Sequence, residues 1–125
     1  MTENEISNFV KIQAQLESLH LEISALSKKT TNDALNKFKL KFVNQVLIEA
    51  NAILGQNYKP FEDFEKFDDN DLPTNSDVAL MLGQYLNCLE TLRAENVFGR
   101  SGYWYWKSND GETTIRTSLP NKLKK

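Results

Sequence analysis

Between Glu3 and about Lys28 the apolar residues Phe9, Ile12, Leu16, Leu19, Ile23 and Leu26 recur at alternating steps of three and four. This alternation lays a single apolar seam along an α-helix. Ile6 and Val10 broaden the stripe at its start, while Lys11, Gln13, Gln15, Glu17, Ser18 and Glu22 are left for the wet side. The repeat covers fewer than three heptads, which suits an antiparallel bundle at least as well as a free-standing coiled coil.

The polar run Ser27–Asn32 interrupts the seam. Its two lysines suit the negative end of the first helix dipole, and Thr31 or Asn32 is placed to cap a second helix. That helix is predicted from about Asp33 to Leu54, with Gly55 as its C-terminal cap. Leu35, Phe38, Phe42, Val43, Val46, Leu47, Ala50, Ile53 and Leu54 give it a wide apolar face, one that calls for two packing partners. Lys37–Phe42 alternates with period two, but the helical pattern continues through it on both sides.

Residues 56–73 lack a long periodic pattern and place Tyr58, Phe61, Phe64 and Phe67 three apart among acidic residues. Pro60 suits the first position of a short helix, and the aromatics are expected to lid one end of the core. Thr74 and Asp77 have capping-box spacing, with Ser76 as an alternative cap. A third helix then runs to about Asn96 on Val78, Leu82, Tyr85, Leu89 and Leu92.

Beyond Asn96 aromatic and β-branched runs surround Asn109-Asp110-Gly111, a hairpin signal with strands over 103–107 and 113–117. An isolated hairpin is marginal in water, so it must rest on the helices or on a partner. The predicted fold is mainly α: a three-helix antiparallel bundle with an aromatic connecting segment and a C-terminal β-hairpin. It forms one domain over 1–125, with the bundle over 1–98, the hairpin over 99–119 and a basic tail over 120–125.

Composition narrows the chemistry. A chain of 125 residues, 40% hydrophobic and 26% charged, suits one domain that needs no covalent staple. One Cys and one His exclude an intramolecular disulfide and a structural zinc site, which needs about four such ligands. The start Met1-Thr2-Glu3-Asn4-Glu5 is acidic where a secretory signal is basic and then apolar, and no stretch approaches the roughly 18 apolar residues of a membrane span. A cytoplasmic protein away from membranes is expected.

Asp68-Asp69-Asn70-Asp71 has the oxygen donors of a calcium loop, but the register puts Pro73 at the glycine position and Ala79 at the closing glutamate. His20 and Cys88 both fall in the middle of helices and nothing in sequence pairs them. There is no phosphate-binding glycine loop and no Gly-x-Ser-x-Gly elbow. No enzymatic activity, cofactor or metal is expected.

The most unusual segment is Tyr103-Trp104-Tyr105-Trp106-Lys107, with Arg116 on the facing strand. Strand alternation sends the two tyrosines to one face and the two tryptophans to the other. One pair is free to seal the hairpin onto the helices while the other anchors a partner, since Trp, Tyr and Arg concentrate binding energy.

Charge is also segregated: residues 28–41 hold five lysines against one acid, 62–77 seven acids against one lysine, and 100–125 six basic residues against two acids. A basic region with aromatics is what nucleic-acid binding needs, whereas the net charge of -2 opposes a polyanion. The leading expectation is a small adaptor or regulatory subunit that binds a protein partner, or a second copy of itself, through its helical seam and aromatic hairpin. The alternative is a nucleic-acid-binding regulator that uses the basic hairpin and tail.

Overall fold

The computed structural model describes residues 1–123; Lys124 and Lys125 of the predicted basic tail lie outside the described residues. Three helices, α1 (Glu3–Lys29), α2 (Lys37–Tyr58) and α3 (Asn75–Ala94), are followed by strands β1 (Val97–Arg100), β2 (Tyr103–Ser108) and β3 (Gly111–Thr117). The strands form one antiparallel sheet in the order β1-β2-β3.

Local chemistry sets the helix starts. The Thr2 hydroxyl accepts from the Glu5 N–H while the Glu5 carboxylate accepts from the Thr2 N–H, a reciprocal capping box at the head of α1. Thr74 caps α3 by accepting from the Asp77 N–H at 3.1 Å.

The start of α2 departs from expectation. Asn36, rather than Thr31 or Asn32, is its cap, accepting from the Lys39 N–H. The reason is a long-range pairing. Ala34 forms a β-bridge with Thr74, Leu35 donates its N–H to the Pro73 carbonyl, and Asn75 donates to the Asp33 carbonyl. These bonds hold residues 33–35 extended and still bury Leu35. At the other end Gly55 leaves the helical region with a φ of 65°, a conformation that costs glycine little, and only one irregular turn follows it.

The segment between α2 and α3 forms no helix at Pro60, and its aromatics Phe64 and Phe67 pack over the core. It runs as a strap along α2. Asn44 donates its side-chain amide to the Phe67 carbonyl and to Asp69, and accepts from the Phe67 N–H. Two turns further on, the Asn51 amide donates to the Glu65 carbonyl, and its oxygen accepts from the Tyr85 hydroxyl at 2.6 Å. Buried amides need such partners, and both asparagines are nearly inaccessible. Phe64 and Phe67 pack edge to face and lean on the core, whereas Phe61 is exposed.

The core joins Ile6, Phe9, Ile12, Leu16 and Ile23 of α1 with Leu40, Val43, Leu47, Ala50 and Leu54 of α2, Val78, Leu82, Tyr85 and Leu89 of α3, and Trp106 of β2. Trp106 is fully buried, with its ring centroid 5.1 Å from that of Phe9. Among the described residues its indole N–H has no hydrogen-bond partner.

The predicted two-stranded hairpin is the second half of a three-stranded sheet. The added strand is β1, joined to β2 through Ser101 (φ 53°) and Gly102 (φ 84°), the pair of positive values that a tight hairpin turn requires. After Thr117 the chain stays attached: Pro120 is buried and the Asn121 N–H donates to Glu90. A single 3-10 turn over Asn121–Leu123 falls within the stretch expected as the basic tail.

Candidate functional site

Strand pairing sorts the aromatic segment into two faces. Val97, Trp104, Trp106 and Ile115 point to the helices, and Trp104 packs against the edge of the core. The tyrosines are therefore the outward set. Tyr105 pairs with Phe98 on one side and with Arg116 on the other, so these three side chains share the solvent face. The Phe98 and Tyr105 rings stack with centroids 5.7 Å apart. Tyr103 remains 51% exposed, and the Arg116 guanidinium lies 4.0 Å from its ring centroid.

Arg100 sits over Phe98 at 5.4 Å and forms a salt bridge with Glu112. Lys107 is exposed beside Glu112, its strand partner. The outer face thus carries three aromatic rings and three cations, Arg100, Lys107 and Arg116, against one acid. Of the residues singled out in sequence, Tyr103, Tyr105, Lys107 and Arg116 lie on this face, while Trp104 and Trp106 belong to its support.

Phe98 and Arg100 escaped sequence reading because β1 is short and contains Gly99. The signal that marks them is the Ser101-Gly102 dipeptide, a turn pair directly before an aromatic run. Gly99 lies beside the Trp104 ring, where a Cβ would make ordinary contact at 3.6 Å.

The face is anchored from behind by charge. Arg93, buried on α3, donates its Nε and Nη2 to the two Glu90 carboxylate oxygens, each at 3.0 Å. Its Nη1 donates to the Thr117 hydroxyl and the Ser118 carbonyl at 2.8 Å. Glu90 also accepts from the Gln13 amide. Burial disfavours the Glu90 charge, but the hydrogen bonds from Arg93 and Asn121 outweigh it and hold the carboxyl below its usual range.

The seam of α1 is used inside the fold. Ile6, Phe9, Ile12, Leu16 and Ile23 are buried, and Leu19 and Leu26 are partly covered. A helical seam open to a partner was expected; on α1 the chain's own core takes it.

His20 and Cys88 are not brought together. His20 lies over Gly83, beside a shallow recess lined by Ala79, Leu80, Gln84 and Asn87. Burial pushes the Cys88 thiol up, the wrong direction for a nucleophile. Among the described residues no three His, Cys, Asp or Glu side chains gather as a metal site; Asp68 instead caps the Asn70 N–H, and Asp69 accepts from Asn44. Among the same residues no helix is long and apolar enough to cross a membrane.

No protein-family model matches the chain, and no curated protein or solved structure resembles it at a significant level.

Proposed function

We propose that the protein is a small cytoplasmic, non-enzymatic interaction module, an adaptor or regulatory subunit, whose sheet docks an acidic segment of a protein partner. The observation that carries this reading is the outward set Phe98, Tyr103, Tyr105, Arg100, Lys107 and Arg116, laid on a rigid, core-backed sheet. Pre-ordered aromatic and arginine side chains lose little entropy on binding and supply anchor residues. Three cations around the rings favour a partner with carboxylates.

A specific observation weighs against nucleic acid as the ligand. The chain as a whole carries a net charge of -2, and affinity for a polyanion begins with electrostatic attraction.

The helices behind the sheet are read as a bundle with α1 running against both others. Gln13 to Glu90 and Asn75 to Thr30 pair α1 with α3 in opposite senses, and Glu22 with Lys39 at one end and Asn8 and Ile12 beside Ala52 and Ile53 at the other do the same for α2. The Asn51–Tyr85 and Tyr58–Glu95 bonds advance in the same sense along α2 and α3, so the strap over 59–74 returns the chain to its starting end. Within the three-helix antiparallel bundle expected from the sequence, the antiparallel pairs on this reading are α1 with α2 and α1 with α3.

The test is capture from the native host with wild-type protein and with the Tyr103→Ala/Arg116→Ala variant, each with and without nuclease. A stoichiometric protein held by the wild type, lost from the variant and indifferent to nuclease supports the reading. A nuclease-sensitive polyanion on the same face overturns it.

A further inference from the structure

The wide face of α2 is only half covered. Leu40, Val43, Leu47, Ala50 and Leu54 are buried, yet Phe38, Lys41, Phe42, Gln45, Ile48, Glu49 and Ala52 remain exposed. These positions recur at steps of three and four, the spacing of a second seam on the outside of the helix. Phe38 is 71% exposed, Ile48 51% and Phe42 40%, and the Phe38 and Phe42 rings already meet edge to face. Beside the seam an open groove of about 640 Å³ separates α2 from α1, lined by Lys11, Gln15, Leu19, Phe42 and Val46 among others.

The order of residues along this seam identifies its occupant. Gln45 is its centre: Lys41 and Glu49 stand four residues to either side, Phe42 and Ile48 three, and Phe38 and Ala52 seven. A twofold axis through Gln45 lays α2 antiparallel to the α2 of a second copy and sets residues equidistant from the centre in one layer. Each Lys41 then meets a Glu49, each Phe42 shares a layer with an Ile48, and each exposed Phe38 faces the small Ala52. Opposite charges and apolar groups pair twice over, the self-complementarity that an isologous interface demands. Among the described residues neither Lys41 nor Glu49 has an ion-pair partner within the chain, whereas the neighbouring Lys39 is held by Glu22. We propose that this face joins two copies of the chain into a symmetric antiparallel dimer centred on Gln45, independently of the sheet face.

Sedimentation equilibrium on the full chain, from micromolar to millimolar concentration, tests the proposal. The wild type is expected to dimerise reversibly. Lys41→Glu and Glu49→Lys alone should each weaken the dimer by about tenfold or more, since each places two like-charge contacts where two opposite ones stood. The double exchange Lys41→Glu/Glu49→Lys should restore it, and an equimolar mixture of the two single variants should form a mixed dimer. Both sites of change are on the surface, and unaltered circular dichroism verifies the fold. A monomer throughout the range overturns the proposal and assigns the seam to a different occupant; a dimer indifferent to both single reversals places the interface elsewhere and overturns it equally.

Discussion

Glu90 and Arg93, one turn apart on α3, form a two-point ion pair at 3.0 Å that is almost closed to water, and its free guanidinium nitrogen reaches across to the end of β3. One side chain thereby fastens the sheet to the helices. Removing one partner of such a pair leaves an uncompensated buried charge, a loss of about 3–5 kcal/mol. Arg93→Ala should lower the urea midpoint accordingly, and the loss should exceed that of any single surface lysine.

The same pair gives the fold an acid limit. Because the Glu90 carboxyl is depressed in the folded state, its contribution is complete above the unfolded value of about 4.3 and disappears as the pH falls through the folded value. Urea midpoints measured between neutral and strongly acid pH should fall in that window. In Glu90→Gln the midpoint starts lower and the dependence on pH is shallower.

Tyr85 sets the corresponding alkaline limit. Burial pushes its phenol up to about 12, against the smaller opposing effect of the Asn51 hydrogen bond. Its contribution is complete below the unfolded value of about 10 and is lost as the pH rises through the folded value. Spectrophotometric titration should show a late-ionising component that is lost in Tyr85→Phe. That variant also leaves the Asn51 oxygen unpaired, and about 1–3 kcal/mol of stability should go with it.

The two halves of the aromatic segment should separate cleanly. Trp106→Ala removes a fully buried indole and should cost about 3–5 kcal/mol in a denaturant melt. Tyr103→Ala should leave the melt nearly unchanged and weaken partner capture by about 2 kcal/mol or more. Equal destabilisation by both, with capture intact, would reduce the segment to core.

Within α1, Leu16→Ala should cost about 2–5 kcal/mol because Leu16 is sealed in the core. Leu19, which lines the open groove beside α2, should cost less when truncated. A urea midpoint for Leu16→Ala equal to wild type would disprove the arrangement of the seam.

What the sequence made legible was what its neighbours along the chain decide. Thr2 with Glu5, and Thr74 with Asp77, announce the starts of α1 and α3 through bonds made within one turn. The periodic seams announce the faces. The start of α2 was misplaced because the Leu35 N–H goes to Pro73, a partner some forty residues away that no local pattern encodes. For β1 the apolar signal is a single buried Val97, too little for alternation to register. Which aromatic pair faces outward was likewise undecidable locally: alternation groups the residues, but Phe9 draws Trp106 inward.

The meeting of Phe9 with Trp106 has a kinetic meaning. Phe9 lies in the first turns of α1 and Trp106 in the second half of β2, so the central contact closes a loop of most of the chain. As residues emerge from a ribosome in order, α2 and α3 are available to cover most of the α1 stripe, but Phe9 lacks its Trp106 partner until β2 has been made. Completion of the core is then a late, all-or-none event rather than a progressive one. A nascent chain halted before Trp106 leaves Phe9 without its ring partner, an apolar site of the kind that holding chaperones bind.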